Sequence, residues 1–206
     1  MVTHPEAEHH ISQLVGGWHD SVLTERGRTQ ATAVAHRLRV LVPGGQAVEV
    51  FSSDLLRARE TADIVAAELD VAPALDERLR EKSYGAAEGR PRQWLDERFI
   101  APPAVGDRMH HHEGVDGAET RRDIASRIYD AVDDILLSDC RHQVIVTHGF
   151  AHTFVVAAWI KMPLESVGHV VFRSESGAIT VLHEDDYFRN CSVVTLGDAT
   201  HLYDAV

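Results

Sequence analysis

Short apolar runs that favour β-strands alternate along this chain with stretches in which apolar residues recur at the helical period. VEVFSSD at 48–54 follows a helical pattern that spans Ala31 to Leu41, and QVIVTHG at 143–149 follows another from about Glu119 to Leu136. Parallel strands need crossover connections, which are usually helices. The alternation therefore predicts an α/β fold of three layers, α/β/α, with a mostly parallel central sheet.

Capping and turn residues predict where the helices begin and end. Thr24 is the predicted N-cap of the first long helix, residues 43–45 (Pro-Gly-Gly) stop it, and Asp54 is the predicted cap of the next. FAHTFVVAAWIKM at 150–162 predicts a further helix, and three strand candidates follow: GHVVFR, GAITVLH and NCSVVTL. Since no linker, repeat or charge block divides the chain, we expect a single domain over 1–206.

The charge balance excludes several classes of partner. The net charge of -12 opposes general attraction to nucleic acid or to an anionic membrane, so an anionic ligand needs a local positive site. No apolar stretch is long enough to span a membrane, and no signal peptide is evident, so we expect a cytoplasmic protein. Cys140 and Cys191 lie far apart, which predicts neither a disulfide framework nor a zinc site.

Chemistry-bearing side chains follow three of the predicted strands. VTHPE places His4, VIVTHGFAH places His148 and FSSDLLRARETA leads to Arg57, all at the sheet edge where α/β folds bind ligands. An imidazole can attack phosphorus, while a second imidazole and a guanidinium can stabilise the phosphoryl oxygens. A leaving group also needs a proton, and Glu81 in RLREKSYG is a carboxylic acid at a suitable position.

These segments, in this order, resemble the histidine phosphatase superfamily, also called phosphoglycerate mutase-like. The resemblance rests on VTHPEAEHH, GGWHDSVLTERGRTQA, SSDLLRARETA, LREKSYGAAEG, DGAET, VIVTHG and LGDATHL. It implies that His4 is the nucleophile that forms a phosphohistidine, and that Arg57 and His148 hold the phosphoryl group. Glu81 is then the general acid and base, with no metal and no cofactor. The resemblance also implies a substrate-binding set, which contains Thr3, His10, Gly17, Arg57, His148 and Gly149.

The chain departs from the family pattern on both sides of the nucleophile. The family has Arg before it and Gly after it, whereas this chain has Thr3 and Pro5. Losing one preorganised donor can cost roughly a hundred- to a thousandfold in rate, and proline removes any contact that needs the glycine amide. His10 stands where the family has a phosphate-binding Asn, and its imidazolium form offers a positive donor at acidic pH.

The stretch Ala101–Asp116 contains three adjacent histidines, 110–112, and in relatives it covers the substrate entrance. We interpret these histidines as part of a solvated loop, with a direct role in the site as the alternative. The adjacent positions do not favour a metal site.

Other side chains near these motifs have two readings each. Trp18 either shapes the substrate pocket or stabilises the fold, and Arg80 either tunes the acid or forms a surface ion pair. Glu119 is either a residue beside the site or a first-turn glutamate favoured by the helix dipole. Arg121 and Arg122 are interpreted as a solvated helix face.

The resulting prediction is a phosphatase, a metal-independent phosphomonoesterase that acts on a small phosphorylated metabolite through His4. Two alternatives stay open: a phosphoglycerate mutase-type phosphoryl transfer, and a non-catalytic relative that binds a phosphate ligand. The edge strands near the C-terminus also allow a homodimer.

Overall fold

A six-stranded sheet lies between two layers of helices in the computed structural model, which describes residues 1–203. The last three residues of the predicted domain, 204–206, lie outside this part. The strands are β1 (Val2–Thr3), β2 (Val48–Ser52), β3 (Pro73–Leu75), β4 (His142–Thr147), β5 (Ile179–Glu184) and β6 (Cys191–Asp198). The α-helices are α1 (Glu8–Ile11), α2 (Glu25–Leu41), α3 (Leu56–Leu69), α4 (Arg92–Asp96), α5 (Arg121–Ile135) and α6 (Ala151–Trp159).

The sheet order is β3-β2-β4-β1-β5-β6, and the first four of these strands are parallel. Strand β5 runs antiparallel to β1, and β6 runs antiparallel to β5. This arrangement confirms the predicted mostly parallel α/β sheet. Although β1 has only two residues, it lies in the interior of the sheet, where Thr3 pairs with Thr147 of β4. The carboxyl ends of β1 and β4 therefore deliver His4 and His148 to the same place.

Side chains of β4 alternate between two apolar cores, as the two-residue period of a strand requires. Ile145 packs into the core beneath α5 and α6, whereas Val144 and Val146 pack into the core beneath α2 and α3. Helices cover both faces of the sheet, which confirms the three-layer prediction. No helix within residues 1–203 has the length and apolarity needed to cross a membrane.

Three predictions concern where helices begin; one of them is confirmed and two are wrong. Thr24 caps α2 as predicted, because its hydroxyl accepts a hydrogen bond from the Gly27 amide at 2.9 Å. The Asp54 prediction was wrong: the Leu56 amide that opens α3 donates to Asp20, at 2.7 Å. The first-turn reading of Glu119 was also wrong, since the N-cap of α5 is the next residue, Thr120.

The strand predicted over GHVVFR, 168–173, does not form. The backbone N–H of Phe172 bonds to the Thr153 hydroxyl at 3.3 Å, and the His152 ring bonds to the Phe172 carbonyl at 3.3 Å. These side chains satisfy backbone groups that a neighbouring strand would otherwise pair. Arg121, which the sequence reading placed on a solvated face, donates to the Val170 carbonyl and packs over the Phe150 ring at 5.1 Å.

Candidate active site

A cavity of about 420 Å³ opens beyond the carboxyl ends of β1 and β4. Seven of the eight predicted site residues line it: Thr3, His4, His10, Gly17, Arg57, Glu81 and Gly149. The eighth, His148, is fully buried behind the lining, with its ring centroid 5.0 Å from that of His4. The volume suits a small polar ligand.

The His4 ring is held in one tautomer. Its Nδ1 lies 2.8 Å from the Pro5 carbonyl oxygen, which can only accept a hydrogen bond, so Nδ1 carries the hydrogen. Its Nε2 carries a lone pair, which accepts a hydrogen bond from Arg57 Nε at 3.2 Å. Burial first, and then the Arg57 charge, holds the pKa of His4 well below its usual range. The ring is thus neutral, and a neutral imidazole with its lone pair on Nε2 has the chemistry of a nucleophile.

Pro5 supplies the backbone carbonyl that fixes the tautomer of His4. The contact to His4 Nδ1 uses the Pro5 carbonyl, and proline lacks only the amide hydrogen. The expected loss of an amide contact at Pro5 therefore leaves this hydrogen bond to the His4 ring intact.

Arg57 is a cation fixed beside the His4 ring. Its side chain is 1% exposed, and it donates to the Gly17 carbonyl at 2.6 Å and to the His19 carbonyl at 2.9 Å as well as to His4. Burial lowers the pKa of Arg57 to about 10, so the guanidinium still carries its charge at neutral pH. A preorganised cation of this kind attracts an anion into an otherwise acidic protein.

His148 is neutral in this arrangement. Burial is the main cause that keeps the pKa of His148 well below its usual range, and Arg57 and His4 add to it. Its Nε2 lies 2.8 Å from the Ser53 hydroxyl, whereas its buried Nδ1 has no hydrogen-bond partner within residues 1–203. A buried polar atom without a partner is costly, so this nitrogen stands out among the polar groups behind the cavity lining.

The Glu81 carboxylate lies at the amino end of α6, the helix that begins soon after His148 and Gly149 in the sequence. The backbone amides of Phe150 and Ala151 each donate to the Glu81 carboxylate at 3.0 Å, and the Lys82 amide donates at 2.9 Å. These bonds fix the carboxylate at the cavity wall. Trp18 Nε1 donates to the Glu81 carbonyl at 2.7 Å, and the ring is not among the cavity-lining side chains, which favours the fold-stabilising reading of Trp18.

His10 is also neutral in this structure, whereas the imidazolium form was predicted for acidic pH. Its Nδ1 accepts a hydrogen bond from the Ala7 amide at 3.2 Å, so the ring hydrogen lies on Nε2. Burial, followed by the Arg57 charge, lowers the pKa of His10. The ring stacks on His4 at a centroid distance of 5.6 Å and offers a neutral N–H, as an asparagine amide would.

His9 is a cavity residue whose role the sequence left open. Its Nδ1 lies 2.7 Å from the Ser21 hydroxyl, and its ring centroid lies 4.1 Å from that of His10. Burial is the main cause that lowers the pKa of His9 to about 3. Helix α1, which brings the two rings together, has only four residues and left no periodic signal in the sequence.

Hydroxyl groups occupy the neighbourhood of Thr3, where the family has arginine. The Thr3 hydroxyl donates to the Glu175 carbonyl at 2.5 Å and lies 3.3 Å from the Ser174 hydroxyl. Its single hydrogen is therefore already used within the protein. Sequence reasoning did not single out several other lining residues: Gln13, Leu14, Gly16, Tyr84, Arg92, Ser174 and Ser176. Gly16 and Tyr84 lie within the quoted motifs GGWHDSVLTERGRTQA and LREKSYGAAEG, whereas the others lie outside any motif.

The histidine-rich stretch Ala101–Asp116 does not line the cavity. Its histidines bond locally, as the solvated-loop reading predicts: His110 pairs with Asp107 at 2.8 Å, and His111 bonds to the Ile100 carbonyl at 2.9 Å. The stretch packs instead against the segment after Glu81, where the Asp116 carbonyl accepts the Ala86 amide at 2.9 Å. Within residues 1–203, no cluster of three or more His, Cys, Asp or Glu side chains is arranged to hold a metal ion.

Arg80 and Arg122, two arginines that the sequence assigned to the surface, both form ion pairs. Arg80 forms the predicted surface pair, with its guanidinium bonded to Asp54 at 2.5 Å and 2.7 Å. Arg122 pairs with Glu165 and is half-buried in the first turn of α5. Neither contact involves the cavity.

Residues 1–197 match the family model of the histidine phosphatase superfamily, branch 1. The chain belongs to this superfamily. Its fold is phosphoglycerate mutase-like, and family membership together with its likeness to phosphatase structures identifies it as a phosphatase.

Known relatives cover almost all of this histidine phosphatase. The probable phosphoglycerate mutase GpmB of Erwinia tasmaniensis is 29% identical over 214 residues, which cover 99% of this chain and 94% of that protein. The structure of Bacillus stearothermophilus YhfR is similar with a TM-score of 0.76 and 26% identity, covering 98% of this chain and 96% of that one. A mycobacterial glucosyl-3-phosphoglycerate phosphatase with inorganic phosphate has a TM-score of 0.76 and 25% identity, covering 98% and 97%.

Proposed function

We propose that this histidine phosphatase hydrolyses the phosphate monoester of a small metabolite through a phosphohistidine on His4, without a metal ion. The observation that carries the proposal is the neutral His4 ring at the cavity wall, whose Nε2 carries a lone pair beside the buried Arg57 guanidinium. A lone pair and a cation at this spacing suit attack on phosphorus.

In the first half-reaction, the hydrogen bond from Arg57 Nε to His4 Nε2 is released, and the Nε2 lone pair forms a bond to phosphorus while the bond to the ester oxygen breaks. Arg57, His10 Nε2 and His148 stabilise the phosphoryl oxygens. Glu81, in its acid form, gives its proton to the leaving oxygen, and the product alcohol departs. The charge on the transferring group is met by protein donors that are already in place.

In the second half-reaction, the Glu81 carboxylate takes a proton from a water molecule whose oxygen attacks phosphorus. The bond from phosphorus to His4 Nε2 breaks, and its electron pair returns to the ring. Inorganic phosphate leaves, and both Glu81 and His4 regain their starting states. One carboxyl group thus serves as acid and then as base.

The names of two relatives favour different acceptors. The mycobacterial neighbour is named a phosphatase, and its structure contains inorganic phosphate. The GpmB relatives are named probable phosphoglycerate mutases, and that name supports phosphoryl transfer to a second hydroxyl as the second candidate. Both reactions share the phosphohistidine step and differ only in what receives the phosphoryl group.

The test is turnover of a panel of phosphate monoesters by the wild type, by His4→Ala and by His36→Ala. His36 is an exposed histidine 3.9 Å from Glu68 and serves as the matched control. We expect release of inorganic phosphate that is lost in His4→Ala, retained in His36→Ala and insensitive to a strong chelator. Conversion of 3-phosphoglycerate to its 2-isomer without phosphate release would support the mutase. Ligand binding with no turnover across the panel would support a non-catalytic relative.

A further inference from the structure

An ion pair outside the cavity, Glu119 with Arg127, contacts the backbone on both sides of Glu81. Its two side chains are 15% and 16% exposed, and their closest atoms are 2.7 Å apart. We propose that this pair is a positioning device for the general acid and base, and that it sets how well Glu81 delivers its proton. The inference rests on the proposed function, because it assigns a role within that reaction.

Arg127 binds backbone carbonyls that lead up to Glu81. Its NH1 donates to the carbonyls of Arg78 and Arg80, both at 2.7 Å, and its NH2 donates to the carbonyl of Glu81 at 2.8 Å. A guanidinium is planar, so these donors fix the carbonyl oxygens relative to one another. The peptide on the carbonyl side of Glu81 is therefore held from helix α5.

Glu119 completes the arrangement from the other side. Both of its carboxylate oxygens accept hydrogen bonds from Arg127, at 2.7 Å and 2.8 Å. The same carboxylate accepts the Ser83 amide at 2.8 Å, and the Glu119 amide donates to the Ser83 carbonyl at 3.0 Å. The segment is thus clamped two residues beyond the acid as well as at its own carbonyl.

The local secondary structure explains why such a clamp is needed. His4 and His148 follow paired strands, and Arg57 lies on α3, whereas Glu81 lies on an irregular segment between the short 3-10 turns Glu77–Leu79 and Gly85–Ala87. Residues 80–84 belong to no strand or helix themselves: the amides at the start of α6 bind the Glu81 carboxylate, whereas the backbone of Glu81 depends on side chains such as Arg127. A misplacement of about 1 Å at a reacting group can cost on the order of a hundredfold in rate.

The test exploits the difference between leaving groups. An alkyl phosphate needs a proton from Glu81 for its leaving oxygen, whereas a nitrophenyl phosphate needs almost none. In a single turnover, Arg127→Gln and Glu119→Gln should slow phosphorylation of His4 by an alkyl ester by roughly 10- to 100-fold. Phosphorylation by the nitrophenyl ester should change by less than about threefold, since His4 and Arg57 are untouched.

Three comparisons make the result decisive. Asp134→Asn is the matched control, because Asp134 lies on α5 as Arg127 does and forms an exposed ion pair with the Arg78 side chain. We expect this variant to change the rate with neither ester. Arg127→Lys keeps the charge and should recover part of the alkyl-ester rate. Hydrogen exchange at residues 80–84 should rise in the Gln variants, which reports on the clamp independently of turnover.

Equal slowing with both esters would overturn the proposal and assign the pair a general stabilising role. Unchanged rates with unchanged hydrogen exchange would also overturn it. If the wild type forms no phosphoenzyme with either ester, the proposed function fails instead, and the exchange data still decide whether the pair holds the segment. Arg127→Lys provides the folded comparison if a Gln variant is too unstable to purify.

Discussion

Thr3→Arg restores the guanidinium that the family carries before its nucleophile, and we expect it to raise phosphatase activity. Thr3 is 1% exposed at the cavity wall, and its hydroxyl is used by the Glu175 carbonyl. The adjoining cavity, which Ser174 and Ser176 line, provides space for a longer side chain. An arginine there would aim charged donors at the transferring phosphoryl group.

The magnitude has a favourable part and an unfavourable one. A preorganised donor aimed at the transition state is worth roughly a hundred- to a thousandfold in kcat. Loss of the hydrogen bond to Glu175 costs about 1 kcal/mol of stability. Repulsion with Arg57 adds on the order of 2 to 3 kcal/mol for unit charges ~6 Å apart at an effective dielectric constant of about 20. A bound phosphate relieves that repulsion.

The assay is kcat/KM on a monoester, combined with the Tm measured with and without inorganic phosphate. We expect Thr3→Arg to raise kcat/KM, to lower the Tm of the free enzyme and to show a larger phosphate-induced rise in Tm than the wild type. Thr3→Met removes the hydroxyl without adding charge and controls for the lost bond. A folded Thr3→Arg protein that binds phosphate but has unchanged or lower kcat/KM would refute this reasoning.

Three further predictions follow from the histidines and the proline around the nucleophile. His10→Asn keeps a neutral donor and should stay within about fivefold of wild-type kcat/KM, whereas His10→Ala should lose roughly 10- to 100-fold in kcat/KM. The contradicting result is a wild-type activity that rises as the pH falls from about 7 to 5 while the activity of His10→Asn stays flat. Pro5→Gly keeps the backbone carbonyl, so kcat/KM should change by less than about threefold. The free energy of unfolding, measured in urea, should fall by roughly 0.4 to 1 kcal/mol because glycine makes the unfolded chain more flexible. A tenfold gain in kcat/KM would show that the missing amide matters. The free energy of unfolding should also fall steeply below about pH 6.5, because buried histidines with lowered pKa values take up protons only when the chain unfolds. Each such histidine lowers the free energy of unfolding by about 1.4 kcal/mol per pH unit. A free energy of unfolding that stays constant in urea titrations from about pH 7 to 5 would contradict this prediction. The histidines concerned are His4, His9, His148 and His152.

The sequence predicted the parts of this protein that local patterns determine. Strand-helix alternation predicted the sheet and its two helical layers, and the residues after β1 and β4 meet because parallel strands end at one edge. Thr24 was found as a cap because its partner, the Gly27 amide, lies three residues away. Ordered motifs then placed His4, Arg57, Glu81 and Gly149 at one cavity.

The remaining features depend on contacts between residues far apart in sequence. Asp20 caps α3 from a distant loop, so the nearer Asp54 was the natural but wrong choice. The GHVVFR run has strand-like composition, yet side chains of α6 satisfy its backbone. The neutral state of His10 was not predicted, because its bond to the Ala7 amide and its burial beside Arg57 are properties of the folded chain alone.

Mapping of the phosphoenzyme tests the central claim most directly. A radiolabelled monoester is mixed with the wild type at neutral pH, the reaction is quenched within the first turnover, and the acid-labile label is assigned by peptide mapping and NMR. We predict a phosphoryl group on Nε2 of His4 that forms and decays at rates compatible with turnover and is absent in His4→Ala. Label on a different residue, or hydrolysis that continues in His4→Ala, would contradict the account.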